Sequence, residues 1–413
     1  MSISGRTITS VLILAFKAVC VIGVNRWMAM KFGPDGFAQY SHFLNALTLF
    51  LLIPSEGIGK AIVKYLSDPL VEDKNRFIAA GWVLHVFALV ISAALIFSFP
   101  SYFLSKAFPE QEQGYSILAI VFTIVVYGHM VTLYMQSVLL GLDHFKSYTI
   151  WQTCTALLPV LVLALFPYGT KKDYIIYIAS AAALMAIPAH AMIWDWSGWK
   201  GIGKAFTDLI AGKIFMQWIA VAAVAVMSGK GVEFIMRTQS IDLYGATPTG
   251  LWQSVVRFSD YYMAAVYGLI TMVYYPRLSS LVEDGPKFRK IFFQICVFVM
   301  LCAIPGLLII YKFRGAILDH FFSPDFIGGV RYFSWQLLGD GLRILAAICG
   351  MVLLVRERLV AYTITQLVYG AVTVLWISTE KYGHGIQYIH ATTLAAFVYC
   401  FLTLYLVRKD FRI

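Results

Sequence analysis

The chain has 413 residues, of which 60% are hydrophobic and 13% charged, about half the roughly 25% charged share usual in soluble domains. With a mean hydropathy of +0.75 it is too apolar to be a string of soluble domains. Its 32 basic and 22 acidic residues, a net charge of +10, therefore belong to an integral membrane protein.

Apolar runs between polar connectors predict about twelve transmembrane helices, near 7–30, 37–66, 77–99, 114–140, 148–167, 174–194, 214–238, 250–275, 290–312, 329–355, 359–378 and 384–407. The first run is broken by Lys17, Asn25 and Arg26 and ends in no small-residue cleavage site, so it reads as a span and not a signal peptide. An even number of spans puts both termini on one side. Cations decide which side. The termini and even-numbered connectors hold Arg6, Lys74, Arg76, Lys146, Lys200, Lys204, Lys213, Arg277, Lys287, Arg289, Lys290, Arg356, Arg358, Arg408, Lys409 and Arg412. The odd-numbered connectors hold only Lys31, Lys106, Lys171, Lys172, Arg314 and Lys381. The positive-inside rule then makes both termini cytoplasmic.

At an offset of 212 residues, Phe32-Gly33 falls on Tyr244-Gly245, Tyr40 on Trp252 and Glu72 on Asp284. Six spans on either side suggest an all-α membrane protein of two pseudo-symmetric six-helix lobes around a central cationic cavity. Repeat-built transporters commonly bind their cargo in such a place. The expected division is an N-terminal lobe 1–194, a cytoplasmic linker 195–213 and a C-terminal lobe 214–413. Within the linker Ile202, Phe206, Leu209 and Ile210 share one helical face, the pattern of a short interfacial helix; a solvated loop is the other reading.

Ten basic residues fall inside or at the edge of spans: Lys17, Arg26, Lys60, Lys64, Lys230, Arg237, Arg257, Lys312, Arg331 and Arg343. Only four acids accompany them: Glu56, Glu233, Asp260 and Asp340. A charge at the centre of a membrane helix costs about 2.5–3.5 kcal/mol even on a lenient scale, so these residues are expected to face a bundle interior or water. Glu56, Lys60 and Lys64 lie at i, i+4, i+8, and Lys230, Glu233 and Arg237 at i, i+3, i+7. Arg257/Asp260 and Asp340/Arg343 are i, i+3 pairs. Such stripes also read as intrahelical ion pairs that merely let the charges be tolerated. Lys17 and Arg26 escape that reading, having no acid within four residues. By helical rise, Lys60 and Lys64 lie toward the cytoplasmic end, Lys17, Arg257 and Arg343 near the middle, and Lys230, Arg26 and Arg237 toward the outer end. A hydrated, electropositive interior with cations at every depth suits an anion.

Glycine pairs flank three of the clusters, Gly57/Gly59, Gly229/Gly231 and Gly339/Gly341, and would permit kinks. Trp194, Trp196 and Trp199 read as an interfacial belt. Trp252, Tyr261, Tyr262 and Trp335 are candidate sugar platforms, with packing as their other role. His85 and His129 read as core histidines, and the six cysteines as buried, reduced thiols. There is no H-E-x-x-H, G-x-S-x-G, P-loop or zinc pattern, so neither an enzyme nor a metal, cofactor or nucleic-acid partner is expected.

Phe32-Gly33-Pro34-Asp35-Gly36, Val63-Lys64-Tyr65, Leu251-Trp252-Gln253 with Ser259-Asp260, Pro276-Arg277-Leu278-Ser279 and Trp335-Gln336-Leu337-Leu338-Gly339-Asp340 with Arg343 carry a resemblance. They look like the Wzx-type lipid-linked oligosaccharide flippases of the multidrug/oligosaccharidyl-lipid/polysaccharide exporter superfamily, nearest the branch for enterobacterial common antigen or O-antigen units. The resemblance spans both halves and implies a flippase of the bacterial inner membrane. Such a protein moves an undecaprenyl-diphosphate-linked oligosaccharide from the cytoplasmic to the periplasmic leaflet by alternating access. Its partners would be that substrate, membrane lipids, and a polysaccharide polymerase and chain-length regulator. On this reading Lys17, Arg26, Lys60, Lys64, Lys230, Arg237, Arg257 and Arg343 hold the diphosphate, and Glu56, Glu233, Asp260 and Asp340 serve as counter-ions or couple an ion. A cation-coupled multidrug antiporter on the same scaffold is the alternative.

Overall fold

The structure, a computed structural model, describes residues 3–67, 73–111, 114–193, 209–270, 274–279, 281–379 and 387–408. Among them every regular element is helical. The first part of the chain forms α1 (Ile3–Ile53), α2 (Lys60–Ser67), α3 (Lys74–Ser98), α4 (Pro100–Leu104), α5 (Ser116–Gly141), α6 (Phe145–Leu165) and α7 (Lys171–Ala183). The rest forms α8 (Leu209–Val226), α9 (Val232–Tyr244), α10 (Ala246–Leu269), α11 (Tyr275–Ser279), α12 (Gly285–Phe321), α13 (Phe333–Val355), α14 (Leu359–Thr379) and α15 (Gln387–Val407).

Nine helices among the described residues are long and apolar enough to cross a membrane, and the bent run from α1 into α2 makes ten. The twelve windows read from the sequence fit this without remainder. The bent α1–α2 run holds two of them, and the eighth window is α10, whose polar and charged residues lower its hydropathy. The chain is a multi-pass, all-α membrane protein. On α12, Phe293, Val297, Leu301, Ile304 and Leu308 recur at helical spacing and are all exposed, an apolar outer face that lipid satisfies.

The internal repeat has a backbone counterpart. Gly33 breaks α1 at φ +62°, ψ −168°, and Gly245 separates α9 from α10 at φ +85°, ψ 172°. Both lie in a region of backbone space that only glycine occupies at low cost. The third sequence match slips by one: Asp73 caps α3 through Arg76 N–H, as Asp284 caps α12 through Lys287 N–H, with nearly identical dihedrals. Glu72 lies outside the described residues.

By packing, the chain divides into residues 1–28 with 39–226, and residues 29–38 with 227–413. The division at 226/227 differs from the boundaries expected at 194 and 213, because α8 packs within the first unit. A Cβ at Gly57 would lie 2.9 Å from Ile219 Cα, and Phe215 joins the core with Ile62, Tyr134 and Trp151. Conversely, Phe37 from the 29–38 segment packs edge-on against Phe322 and Phe326 in the second unit, with ring centroids at 5.3 and 5.6 Å. Gly250 also belongs to this contact, since a Cβ there would sit 1.9 Å from Pro34 O. Gly250→Ala is therefore expected to cost about 1–3 kcal/mol through overpacking against backbone, read as a lowered unfolding temperature in detergent. Unchanged unfolding would mean that the 29–38 segment does not pack there.

Residues 195–208 of the expected linker, its apolar face at Ile202 and Phe206, and Trp194, Trp196 and Trp199 lie outside the described residues.

Candidate functional site

Two π turns interrupt the helices at charged positions: Pro54–Gly59, which contains Glu56, and Met227–Gly231, which contains Lys230. Such turns frequently mark functional stretches of membrane helices, since they free backbone groups and re-aim side chains. Two of the three glycine pairs seen in the sequence fall in them; Gly339 and Gly341 instead lie inside the regular helix α13.

In the first unit the four cations are handled in four different ways. Lys17, midway along the first arm of α1, donates from Nζ to Gln152 Oε1 at 2.5 Å. Gln152, 7% exposed, in turn donates through Nε2 to Tyr148 OH at 2.9 Å and Gln136 Oε1 at 3.2 Å. The ammonium is thus held in place by neutral amide and phenol groups of α5 and α6, and its charge is not cancelled. Arg26 buries Nη1 with no hydrogen-bond partner among the described residues. Lys60 is ion-paired with Glu56, but the two side chains are 60% and 41% exposed, so the pair contributes little. Lys64 lies over the rings of Trp218 and Tyr65, at 5.4 and 5.5 Å, and Tyr65 stacks on Phe77. These four cations share no hydrogen bond or ion pair with one another.

The second unit gathers its charges instead. Glu233 on α9 accepts from Lys230 Nζ at 2.5 Å and from Arg237 Nη2, so one carboxylate serves two cations. Arg237 is 0% exposed. Arg257 on α10 is near enough to both Glu233 and Arg237 to interact electrostatically, and buries Nε with no hydrogen-bond partner among the described residues. The expected Arg257/Asp260 ion pair does not form: no contact within 4 Å joins them, and Asp260 lies in the range of Arg237, Arg343 and Asp340 instead. This neighbourhood holds three cations against Glu233 and the more distant Asp260.

Asp340 is 0% exposed and fully engaged. Its Oδ2 accepts from Ser259 Oγ and Tyr262 OH, and its Oδ1 from Gln336 Nε2 at 3.1 Å and Arg343 Nη1 at 3.4 Å. Four donors from two helices give it the geometry of a joint between α10 and α13. Tyr262 is committed to that joint. Trp252 is 1% exposed and packs in the interior, which leaves no ring face for a ligand in this arrangement. Trp335 retains 43% exposure and meets His390 edge-on at 4.4 Å, while Tyr261 is half-buried.

His85 Nδ1 lies 2.9 Å from Gly81 O and His129 Nε2 lies 2.7 Å from Ala179 O, the core contacts expected of them, although His85 Nε2 is buried with no hydrogen-bond partner among the described residues. All six cysteines are free thiols, but only Cys20, Cys349 and Cys400 are buried as read; Cys154 and Cys296 are half-buried, and Cys302 is exposed on the outward side of α12. Sequence reasoning missed Gln136, Tyr148 and Gln152, and named Ser259 and Gln336 only within motifs, with no site role. All are neutral, so a count of charges cannot find them; helical spacing of Tyr148 and Gln152 on one face was the available signal.

The backbone as a whole has close counterparts. It matches the inward-facing conformation of a multidrug resistance MATE family transporter of the MOP superfamily with a TM-score of 0.76, at 11% identity over 95% of each chain. It matches the lipid II flippase MurJ, in an inward closed conformation, with a TM-score of 0.73 at 16% identity, over 98% of this chain and 89% of that one. The fold is thus the one these transporters share. In sequence, the chain is 20% identical over 355 residues, 83% of each chain, to proteins named Lipid III flippase from Escherichia coli (strain K12) and Shigella flexneri. The resemblance to lipid-linked oligosaccharide flippases seen in the Phe32–Gly36 and Trp335–Asp340 motifs is thus borne out. No family model matches the chain.

Proposed function

We propose that this protein flips an undecaprenyl-diphosphate-linked oligosaccharide, of the enterobacterial common antigen or O-antigen type, from the cytoplasmic to the periplasmic leaflet of a bacterial inner membrane by alternating access. The observation that carries this reading is cationic charge with no carboxylate in ion-pair contact among the described residues, inside membrane helices at Lys17, Arg26 and Arg257. Such charge is costly to keep unless an anion uses it, and phosphate oxygens accept charge-assisted hydrogen bonds from both lysine and arginine. The prenyl tail favours hydrocarbon by about 0.8 kcal/mol per methylene, so only the head needs a polar route.

In this proposal Lys17, Arg26, Arg257 and the Lys230–Glu233–Arg237 group engage the diphosphate, with Lys60, Lys64 and Arg343 as further positive potential. Tyr261 and Trp335, which keep ring surface exposed, are offered to the sugars. Asp260, which has no ion-pair partner among the described residues, is the carboxylate best suited to ion coupling; Glu56, Glu233 and Asp340 act as counter-ions. Both termini lie in the cytoplasm, and a polymerase and chain-length regulator are the natural docking partners. A multidrug antiporter draws support from the 0.76 TM-score to a MATE transporter. Its cationic drugs would be repelled by the uncompensated cations.

The deciding experiment reconstitutes the protein in liposomes with a fluorescent undecaprenyl-diphosphate oligosaccharide and follows its accessibility to an impermeant quencher. Leaflet exchange well above that of empty liposomes is expected. Exchange no faster than in empty liposomes, together with export of a cationic dye, would assign the chain to the antiporter class.

A further inference from the structure

The second unit keeps one fully buried side chain that neither the fold nor the transport reading uses. Gln253 on α10 is 0% exposed, and neither its Oε1 nor its Nε2 has a hydrogen-bond partner among the described residues. A carboxamide left unpaired at both ends away from water is costly, and it ties no neighbour in place. Methionine would fill the same space without that cost, so packing does not account for a glutamine here. Its surroundings point to a ligand. The α9–α10 hairpin closes just past Gly245, with Ser240 Oγ and Thr249 Oγ1 at 2.9 Å. Gln253 lies one turn beyond Thr249, and Arg257 one turn beyond Gln253, on the same face of α10. Arg257 also buries an unpaired Nε, within electrostatic range of Glu233. The internal repeat has an echo of this: at the offset of 212 residues Asn45 of α1 falls on Arg257, and Asn45 is 4% exposed with Oδ1 unpaired among the described residues. Each unit, taken by itself, thus sets unpaired polar atoms on the helix arm that follows its glycine break.

The balance of donors and acceptors identifies the ligand chemistry. Arg257 offers N–H groups, which phosphate oxygens accept. Gln253 Oε1 is itself an acceptor, and an ionised diphosphate has no proton to give it. The two together suit a molecule with hydroxyl or amide N–H donors directly beside a phosphate, and the first sugar on a lipid diphosphate is such a molecule. We infer that Gln253 reads that first sugar, donating from Nε2 to a sugar oxygen and accepting at Oε1 from a hydroxyl or N–H, while Arg257 holds the phosphate. Gln253 is fully buried in this structure, so the contact requires α10 to shift against its neighbours, a movement that alternating access entails. The inference rests on the flippase reading and deepens it, because it makes Gln253 the residue by which the carrier tells a sugar-bearing lipid diphosphate from a bare one.

The test measures binding of two lipids to the full chain in detergent by native mass spectrometry: an undecaprenyl-diphosphate oligosaccharide and sugar-free undecaprenyl diphosphate. The wild type is expected to bind the sugar-bearing lipid about tenfold tighter, the return on hydrogen bonds that the bare lipid cannot make. Gln253→Met is expected to lose most of that preference by weakening the sugar-bearing lipid alone, with no fall in unfolding temperature. Arg257→Gln is expected to weaken both lipids alike. A wild-type preference below about twofold, or an unchanged preference in Gln253→Met, would overturn the inference and leave the flippase reading standing. A lowered unfolding temperature in Gln253→Met with the preference intact would overturn it too, as the mark of a residue that holds only ordered water. The wild-type comparison needs no variant, so it decides even where Gln253→Met does not fold. Binding of neither lipid by the folded wild type would remove the flippase reading and the inference with it.

Discussion

Replacing Glu233 by glutamine is expected to destabilise the protein by about 3–5 kcal/mol, the cost of breaking a buried ion pair from one side. Glu233 is the shared acceptor for Lys230 and for Arg237, and Arg237 is 0% exposed. Without the carboxylate, two cations and the nearby Arg257 face one another with no anion in contact. Denaturant or thermal unfolding in detergent measures the loss. The matched control is Glu56→Gln, which removes the partner of Lys60 at an exposed site and is expected to change stability by no more than about 1 kcal/mol. Equal effects at the two sites would show that Glu233 is not the keystone of a buried cluster.

The second large effect is expected in transport and not in folding. Lys17→Ala removes a cation whose contact is a neutral amide, and Gln152 keeps Gln136 and Tyr148 as partners afterwards. The fold therefore loses little. If Lys17 contacts the diphosphate, the loss of one charge-assisted hydrogen bond, worth about 1.5–3 kcal/mol, lowers flipping on the order of 10–100-fold. Lys17→Arg, which keeps the charge, is expected to recover most of it. Normal flipping by Lys17→Ala at normal membrane abundance would remove Lys17 from the substrate path. The contrast with Glu233 separates charges that hold the structure from charges held ready for a ligand.

Much of this was legible in the amino-acid order because membrane spans announce themselves by local composition. The break at Gly33 showed as Phe-Gly-Pro, and its echo at Gly245 showed as a repeat, since a glycine-only backbone angle leaves a mark on a single position. The i, i+3 and i, i+4 charge spacings found the Glu56–Lys60, Lys230–Glu233–Arg237 and Asp340–Arg343 pairs, because those partners share a helix. The same rule failed at Arg257 and Asp260, where groups on other helices compete for each side chain. The amide relay behind Lys17 was invisible because its members come from α5 and α6, more than a hundred residues away, and carry no charge. The membership of α8 in the first unit was hidden for a related reason: hydropathy reports that a segment is buried or in lipid, not which neighbour covers it.

That trade of pieces, α8 into the first unit and residues 29–38 into the second, bears on how such a protein can be recombined. A hybrid of two relatives spliced at the connector after the sixth span would separate Ile219 from Gly57 and Pro34 from Gly250, leaving both foreign joints inside close-packed contacts. Viable crossovers would instead follow the seams at 28, 38 and 226. Swapping halves at the midpoint would therefore break each unit, not exchange two self-contained modules.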